Sequence, residues 1–191
     1  SVALPTAYYL WQHKVRYAKV LYSIGLLPFA LPPVITALGM LMWWAQFGGT
    51  GNYWGIALGH GVFLITLPMV MISLGLESID RELLEAAQTM GANSTTTFRT
   101  IVFPMVVPYM VAGYAFAFVL SMNEFIISFF LGQFAVQTLP VKIFSSLRSG
   151  YSPAIASVSV MFIMLAAIVF GLVARFGDLP RLLGAWTPKD R

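Results

Sequence analysis

The chain is 191 residues long, 59% apolar and only 9% charged, against about 45–50% and about 25% in ordinary soluble domains. Its mean hydropathy of +0.81 and its 15 Phe, 5 Trp and 10 Met leave too little polar surface to wrap a core in water, which argues against a soluble enzyme, a disordered chain or a nucleic-acid-binding domain. The net charge of +4 comes from scattered basic residues that form no stripe, and the absence of cysteine excludes disulfides, thiolate zinc sites and cysteine nucleophiles.

Residues 1–12 (SVALPTAYYLWQ) are apolar and aromatic, too short to span and without the basic leader of a signal peptide, and are expected to be the inner end of a helix that begins upstream. From Val20 to Leu76 there is no Asp, Glu, Lys or Arg, room for two crossings of about 20 residues each. The Gly-rich stretch at 46–52 divides them. Pro28, Pro32 and Pro33 lie in the first of these spans and Pro68 in the second. Each removes a backbone donor that lipid cannot replace, so they mark either simple kinks or helices bent around a polar cavity. Gly55 and Gly59 make a G-x-x-x-G that permits close helix approach. His60 reads as a hydrogen-bonded packing residue with no further role.

A charged island follows, with Glu77, Asp80, Arg81, Glu82, Glu85 and Arg99. Ser78 is placed to cap a helix whose first turn holds Asp80 and Glu82, and Gly91 to end it. Ile79, Leu83, Ala86 and Met90 form its apolar stripe, while Arg81, Glu82 and Glu85 point elsewhere. A second short helix is expected from Asn93 or Ser94 toward Ile101, before Pro104 and Pro108 mark the return to the membrane. Taken alone, such a hairpin is a solvated amphipathic loop.

The third span, Met105 to Leu131, contains one acid, Glu124. On a continuous helix at about 100° per residue, Gly113, Ala117, Ser121, Glu124 and Ser128 share one face about 80° wide. A stripe of small residues ending in an acid suits a packed interface or a pathway wall. Glu124 sits toward the outer end, and two readings stand: a carboxylate at the interface or paired with a base, or a functional one. Residues 132–150 are mixed, with Lys142 and Arg148, and Tyr151 to Ala174 is a fourth uncharged span. The expected fold is all-α: a polytopic membrane helical bundle in which residues 1–191 form a single transmembrane domain, with four full spans plus the end of a preceding helix.

If the N-terminal stretch, the island and the C-terminal tail share one side, that side holds Lys14, Arg16, Lys19, Arg81, Arg99, Arg175, Arg181, Lys189 and Arg191, and the other only Lys142 and Arg148. The positive-inside rule then puts both chain ends and the island in the cytoplasm.

Glu85-Ala86-Ala87, Gly91-Ala92 and Ile101-Val102-Phe103-Pro104 with Pro108 resemble the EAA loop of inner-membrane permease subunits of bacterial ATP-binding-cassette importers. The resemblance departs at Phe103, where Leu is usual, and at Met90, where an acid or Leu is common. It implies that a helix or two precede Ser1. It also implies that residues 77–104 are a cytoplasmic coupling loop that docks in a groove of an ATPase dimer through Glu85, Ala86, Ala87, Gly91 and Ala92. Further partners so implied are a second permease, a periplasmic or lipid-anchored substrate-binding protein and the lipid bilayer. A narrower resemblance, to the second permease of spermidine/putrescine-type systems, is carried by Asn123-Glu124-Phe125-Ile126-Ile127-Ser128-Phe129-Phe130, Thr138-Leu139-Pro140, Ile143, Gly150 and Pro153-Ala154. It implies a polyamine solute, and the shared face of the third span makes Glu124, Ser121 and Ser128 the candidate substrate pathway. Related subunits for opine-like compounds look much the same, and importers of molybdate, sulfate or ferric iron share an acid and a T-L-P segment in comparable places.

The chain carries no G-x-x-x-x-G-K-[ST], H-E-x-x-H or G-x-S-x-G, so it is not expected to be an enzyme, to bind a metal or to hold a cofactor. ATP hydrolysis is expected from a separate subunit. A membrane scaffold and a channel remain alternatives, and both predict behaviour independent of an ATPase. The topology has a direct test in single cysteines introduced into the cysteine-free chain. Ser94→Cys is expected to resist an impermeant thiol reagent applied outside intact cells, and Asn52→Cys to react with it; labelling of Ser94→Cys would invert the assignment.

Overall fold

The computed structural model describes residues 2–12, 17–133, 135–150 and 153–176. Lys14, Arg16, Arg181, Lys189 and Arg191, part of the charge asymmetry, and Tyr151, the expected start of the fourth span, lie outside the described residues. The helices run α1 (Ala3–Gln12), α2 (Ala18–Ala30), α3 (Pro33–Ala45), α4 (Tyr53–Leu64), α5 (Thr66–Glu77), α6 (Arg81–Thr89), α7 (Ser94–Thr97), α8 (Phe103–Asn123), α9 (Ile126–Gly132), α10 (Leu139–Ser149) and α11 (Pro153–Phe176). No strand occurs among the described residues. Tyr53–Glu77, Ser94–Asn123 and Ile155–Leu172 are long and apolar enough to cross a membrane.

Helix breaks set the departures from the sequence expectation. The first expected span is a bent pair, its arms Tyr22–Ala30 and Pro33–Ala45 meeting at 106°. Pro32 and Pro33 bring no N–H to the carbonyls four residues before them. The Pro28 carbonyl accepts instead from Thr36 Oγ1 at 3.0 Å, and the hydroxyl of buried Thr66 donates to the Gly25 carbonyl at 3.1 Å. The short helix expected after Asn93 does not stop near Ile101. It passes through a π-helical turn at Phe98–Val102 into α8, because the wider turn absorbs the donor missing at Pro104. The third span ends at Asn123 rather than Leu131, and α9 starts anew at Ile126.

The chain forms two compact units. One comprises the described residues of Ser1–Ala18, Leu67–Phe116 and Val169–Arg191. Its core holds Ile72, Leu76, Val102 and Val106, each at most 2% exposed. Tyr8 of α1 meets Phe98 edge-on with ring centroids 4.8 Å apart, and Gly113 of α8 faces Pro68 so closely that a Cβ there would lie 2.8 Å from the Pro68 Cα. The other unit comprises Lys19–Thr66 and Ala117–Ile168. In it α9 buries Ile127, Ser128, Leu131 and Gly132, and Gly59 of α4 leaves room for Ile127 and Leu131. The Gly-rich loop closes on the same helix. Asn52 caps α4 by accepting from the Gly55 amide at 2.7 Å, and the Gly51 amide donates to the Leu131 carbonyl at 2.7 Å.

Gly113 gives a direct test of this packing, because backbone at Pro68 cannot yield as a side-chain tip would. Gly113→Ala is expected to cost about 1–3 kcal/mol and to lower the thermal midpoint of the purified protein in nanodiscs. Gly171→Ala, whose Cβ would meet nothing within 4 Å, is expected to leave the midpoint unchanged or slightly raised.

Candidate functional site

The charged island folds as a helix fixed at both ends. Asp80, rather than Ser78, caps α6: its Oδ1 accepts from the Glu82 amide at 3.1 Å, while the Ser78 hydroxyl is turned to the Gly75 carbonyl at 2.8 Å. At the other end Gly91 takes φ +82°. Its amide donates to the Gln88 carbonyl at 2.9 Å and that of Ala92 to the Ala87 carbonyl at 3.0 Å, the paired bonds of a Schellman turn. Asn93 then caps the next helix, Oδ1 accepting from the Thr96 amide at 2.8 Å.

Along α6 the exposed and sheltered apolar residues part company. Leu84 and Ala87 are half-buried. Leu83 (48%), Ala86 and Met90 (87%) are exposed, as is Glu85. Ile79, counted with that stripe by periodicity, is buried ahead of the helix. A cavity of about 570 Å³ lies within this unit, lined by Tyr8 and Trp11 of α1, by Arg81, Glu85 and Gln88 of α6 and by Thr97.

The second cluster lies wholly within the other unit. Glu124 falls in the break between α8 and α9, so the continuous helical face expected for Gly113, Ala117, Ser121, Glu124 and Ser128 does not form. The break has a local cause. The carboxylate turns onto the first amides of α9, Oε1 accepting from Ile127 at 2.8 Å and Oε2 from Ser128 at 3.0 Å, which favours an anion at a helix start. Ser121, Glu124 and Ser128 still meet, through a residue 61 positions upstream of Ser121. His60 of α4 has Nδ1 2.8 Å from Ser121 Oγ and Nε2 2.9 Å from Ser128 Oγ, and Nε2 is 3.2 Å from Glu124 Oε2. A lone pair at Nε2 would oppose the carboxylate, so the proton belongs on Nε2, and in the neutral ring the Ser121 hydroxyl donates to Nδ1. The Ser128 hydroxyl donates to the Glu124 carbonyl at 3.3 Å. The side chains of His60 and Glu124 are only 14% and 8% exposed.

The model of the family described as binding-protein-dependent transport system inner membrane component matches residues 3–178. The chain belongs to this family. The spermidine/putrescine transport system permease protein PotC of Escherichia coli is 27% identical over 173 residues, 89% of this chain and 66% of the relative. The putrescine transport system permease protein PotI of the same organism is 32% identical over 173 residues, 86% and 58%. The putative 2-aminoethylphosphonate transport system permease protein PhnV of Salmonella paratyphi A is 29% identical over 177 residues, 92% and 66%. The chain thus spans a little under two thirds of the length of these relatives. Among solved structures, the methionine ABC transporter MetNI in inward-facing conformations aligns with a TM-score of 0.74 and 17% identity over 97% of this chain and 87% of that one, a likeness of fold alone.

For this inner membrane component, His60 is the residue of the cluster that sequence reasoning left without a role. A lone histidine in an apolar helix has no periodic partner, and the one available signal is that His60 and Glu124 are the two ionisable imidazole and carboxylate groups in the uncharged stretches. Glu124→Gln is expected to destabilise the protein. An amide has one acceptor oxygen for two helix N–H groups, and its NH2 opposes either the Ile127 amide or, in the flipped orientation, both the Ser128 amide and His60 Nε2. Loss of a charge-assisted bond costs about 1.5–3 kcal/mol, so the thermal midpoint should fall for Glu124→Gln and further for Glu124→Ala. Ser121→Ala, which leaves the amide contacts in place, should fall least; a midpoint unchanged by Glu124→Ala would show that the carboxylate does not hold the break.

Proposed function

We propose that the chain is the membrane-spanning permease subunit of an ATP-binding-cassette importer in a bacterial inner membrane, and that its solute is a polyamine or similar small organic cation. It works with a second permease, with an ATPase dimer that alone hydrolyses ATP, and with a periplasmic or lipid-anchored binding protein. Both chain ends and residues 77–104 face the cytoplasm, and residues 1–191 act as one transmembrane domain.

The observation that carries this reading is α6. It is a short helix whose apolar residues Leu83, Ala86 and Met90 are exposed, whose ends are locked by Asp80 and by the turn at Gly91, and which precedes a 30-residue apolar helix, Ser94–Asn123. Such a helix is built to be covered by a protein groove and to pass that groove's movement to the helix that follows. Glu85, exposed beside the stripe, supplies a charged bond across the interface, and Ala86, Ala87 and Ala92 keep the approach close.

The relatives support the solute class. Spermidine, putrescine and 2-aminoethylphosphonate, the compounds in their names, all bear a primary amine that is protonated at neutral pH. Glu124, Ser121 and Ser128, with His60, form the polar wall that such a group meets near the outer end of the pathway. The similarity to the aminoethylphosphonate permease over 92% of this chain favours a second reading, a zwitterionic aminophosphonate as solute. Competition between the two compounds for uptake by the reconstituted importer decides between them.

Glu85→Ala and Gly91→Asp are expected to leave an inserted subunit that recovers less ATPase on pull-down or hydrolyses ATP without transport. A lost charge-assisted bond of about 1.5–3 kcal/mol corresponds to roughly 10- to 150-fold weaker docking, and at Gly91 a side chain adds left-handed strain. Normal ATPase recovery with unchanged uptake in both variants would leave α6 a solvated loop with no part in coupling, whereas recovery of no ATPase with the parent chain would retire the importer reading.

A further inference from the structure

The carboxylate assigned to meet a cationic solute is already occupied. Its two oxygens take the amides of Ile127 and Ser128, and His60 Nε2 lies 3.2 Å from Oε2. The same nitrogen is 2.9 Å from Ser128 Oγ. One N–H-bearing nitrogen at that position therefore reaches both a carboxylate and a hydroxyl oxygen, which is the environment a primary ammonium requires. The far side of the imidazole is held by Ser121 Oγ at 2.8 Å from Nδ1, so all three residues of the expected pathway wall converge on one ring.

We propose that His60 is an internal stand-in for the solute's ammonium group. It fills the oxygen pair of Glu124 and Ser128 while no solute is present, and a primary ammonium takes the place of Nε2 when the ring turns aside. This rests on the proposed function and deepens it. The contact is autoinhibitory, and it sets specificity, because only a cation that carries N–H groups can replace the bond that the imidazole gives up. A quaternary ammonium has the charge but no proton to donate. Glu124 remains capped onto α9 throughout, so the exchange leaves its contacts with the Ile127 and Ser128 amides intact.

The test uses the complete importer in nanodiscs and reads the thermal midpoint during titration with methylammonium chloride, with tetramethylammonium chloride at equal ionic strength as the control. An internal group that fills a site about nine-tenths of the time weakens apparent affinity about tenfold. His60→Ala is therefore expected to reach half-maximal stabilisation at about one tenth of the methylammonium concentration that the parent needs, and His60→Gln, which keeps a donor on a flexible stem, at an intermediate one. The double variant His60→Ala/Glu124→Gln should not respond, and tetramethylammonium should stabilise none of them. Equal half-maximal concentrations in parent and His60→Ala, or a response that survives in the double variant, would overturn the proposal. So would the failure of both single variants to assemble, which would make the ring a strut. Putrescine and spermidine uptake by the parent is measured alongside. Its absence retires the polyamine reading, whereas its presence without an ammonium effect in His60→Ala retires the stand-in alone.

Discussion

Backbone polar groups cannot be left bare in an apolar medium, and in this chain that rule decides where helices may break. Inside lipid an unpaired N–H or C=O costs several kcal/mol. At three of the breaks among the described residues a side chain or a distant backbone group completes a missing bond. At Glu124 one carboxylate does most of this, meeting the first free amides of α9 and the imidazole of α4 at once. At Pro32 the hydroxyl of Thr36 serves the same purpose, donating to the Pro28 carbonyl. The Gly-rich loop follows the rule too, through Asn52 at the start of α4 and the bond from Gly51 to Leu131 at the end of α9. The seven-residue α9 is thus held at both ends, by a carboxylate at its start and a loop amide at its finish, and Gly59 lets Ile127 and Leu131 settle against α4.

Structure and candidate chemistry consequently coincide at one residue. The charge that would attract a cation is also the group that closes the break, so loss of transport in a Glu124 variant is not by itself proof of contact with solute. The two roles part only where the amide contacts are kept and the imidazole is changed. His60 is for that reason more informative than Glu124 about function, although the sequence marks it far less.

What could be read from the sequence was what local pattern determines. The all-helical class, the apolar stretches around 53–77 and 155–172, the polar loop at 46–52 and the end of α6 at Gly91 follow from composition, charge spacing and turn residues over a few positions. The break after Asn123 could not be read that way. No Pro or Gly punctuates residues 114–131, and small residues at helical spacing continue smoothly across it. It arises because a side chain competes for amides three and four residues ahead. The His60 contacts span more than 60 positions, beyond any periodic signal, and the 106° bend at Pro32 depends on a compensating hydroxyl as much as on the prolines. At Ser78 and Asp80 both residue types are eligible caps; the Ser78 hydroxyl donates to the Gly75 carbonyl, and the Asp80 carboxylate starts the helix.

The stripe on α6 was legible as a stripe, and the structure changes what covers it. In a self-sufficient domain the apolar face of an amphipathic helix packs on its own core. Here Leu84 and Ala87 turn partly inward, while Leu83 and Met90 are left to solvent. Burying such a side chain contributes about 1.5–3 kcal/mol, a gain that this chain forgoes and that a partner's groove would recover. In the proposed importer that recovery belongs to the docked state, so docking strength depends on the direction in which α6 points its exposed residues. That direction is set by the Asp80 cap and the Gly91 turn. In the proposed importer the glycine would therefore bear on coupling alongside the charge of Glu85, because a helix misdirected at its end presents the right residues to the wrong surface.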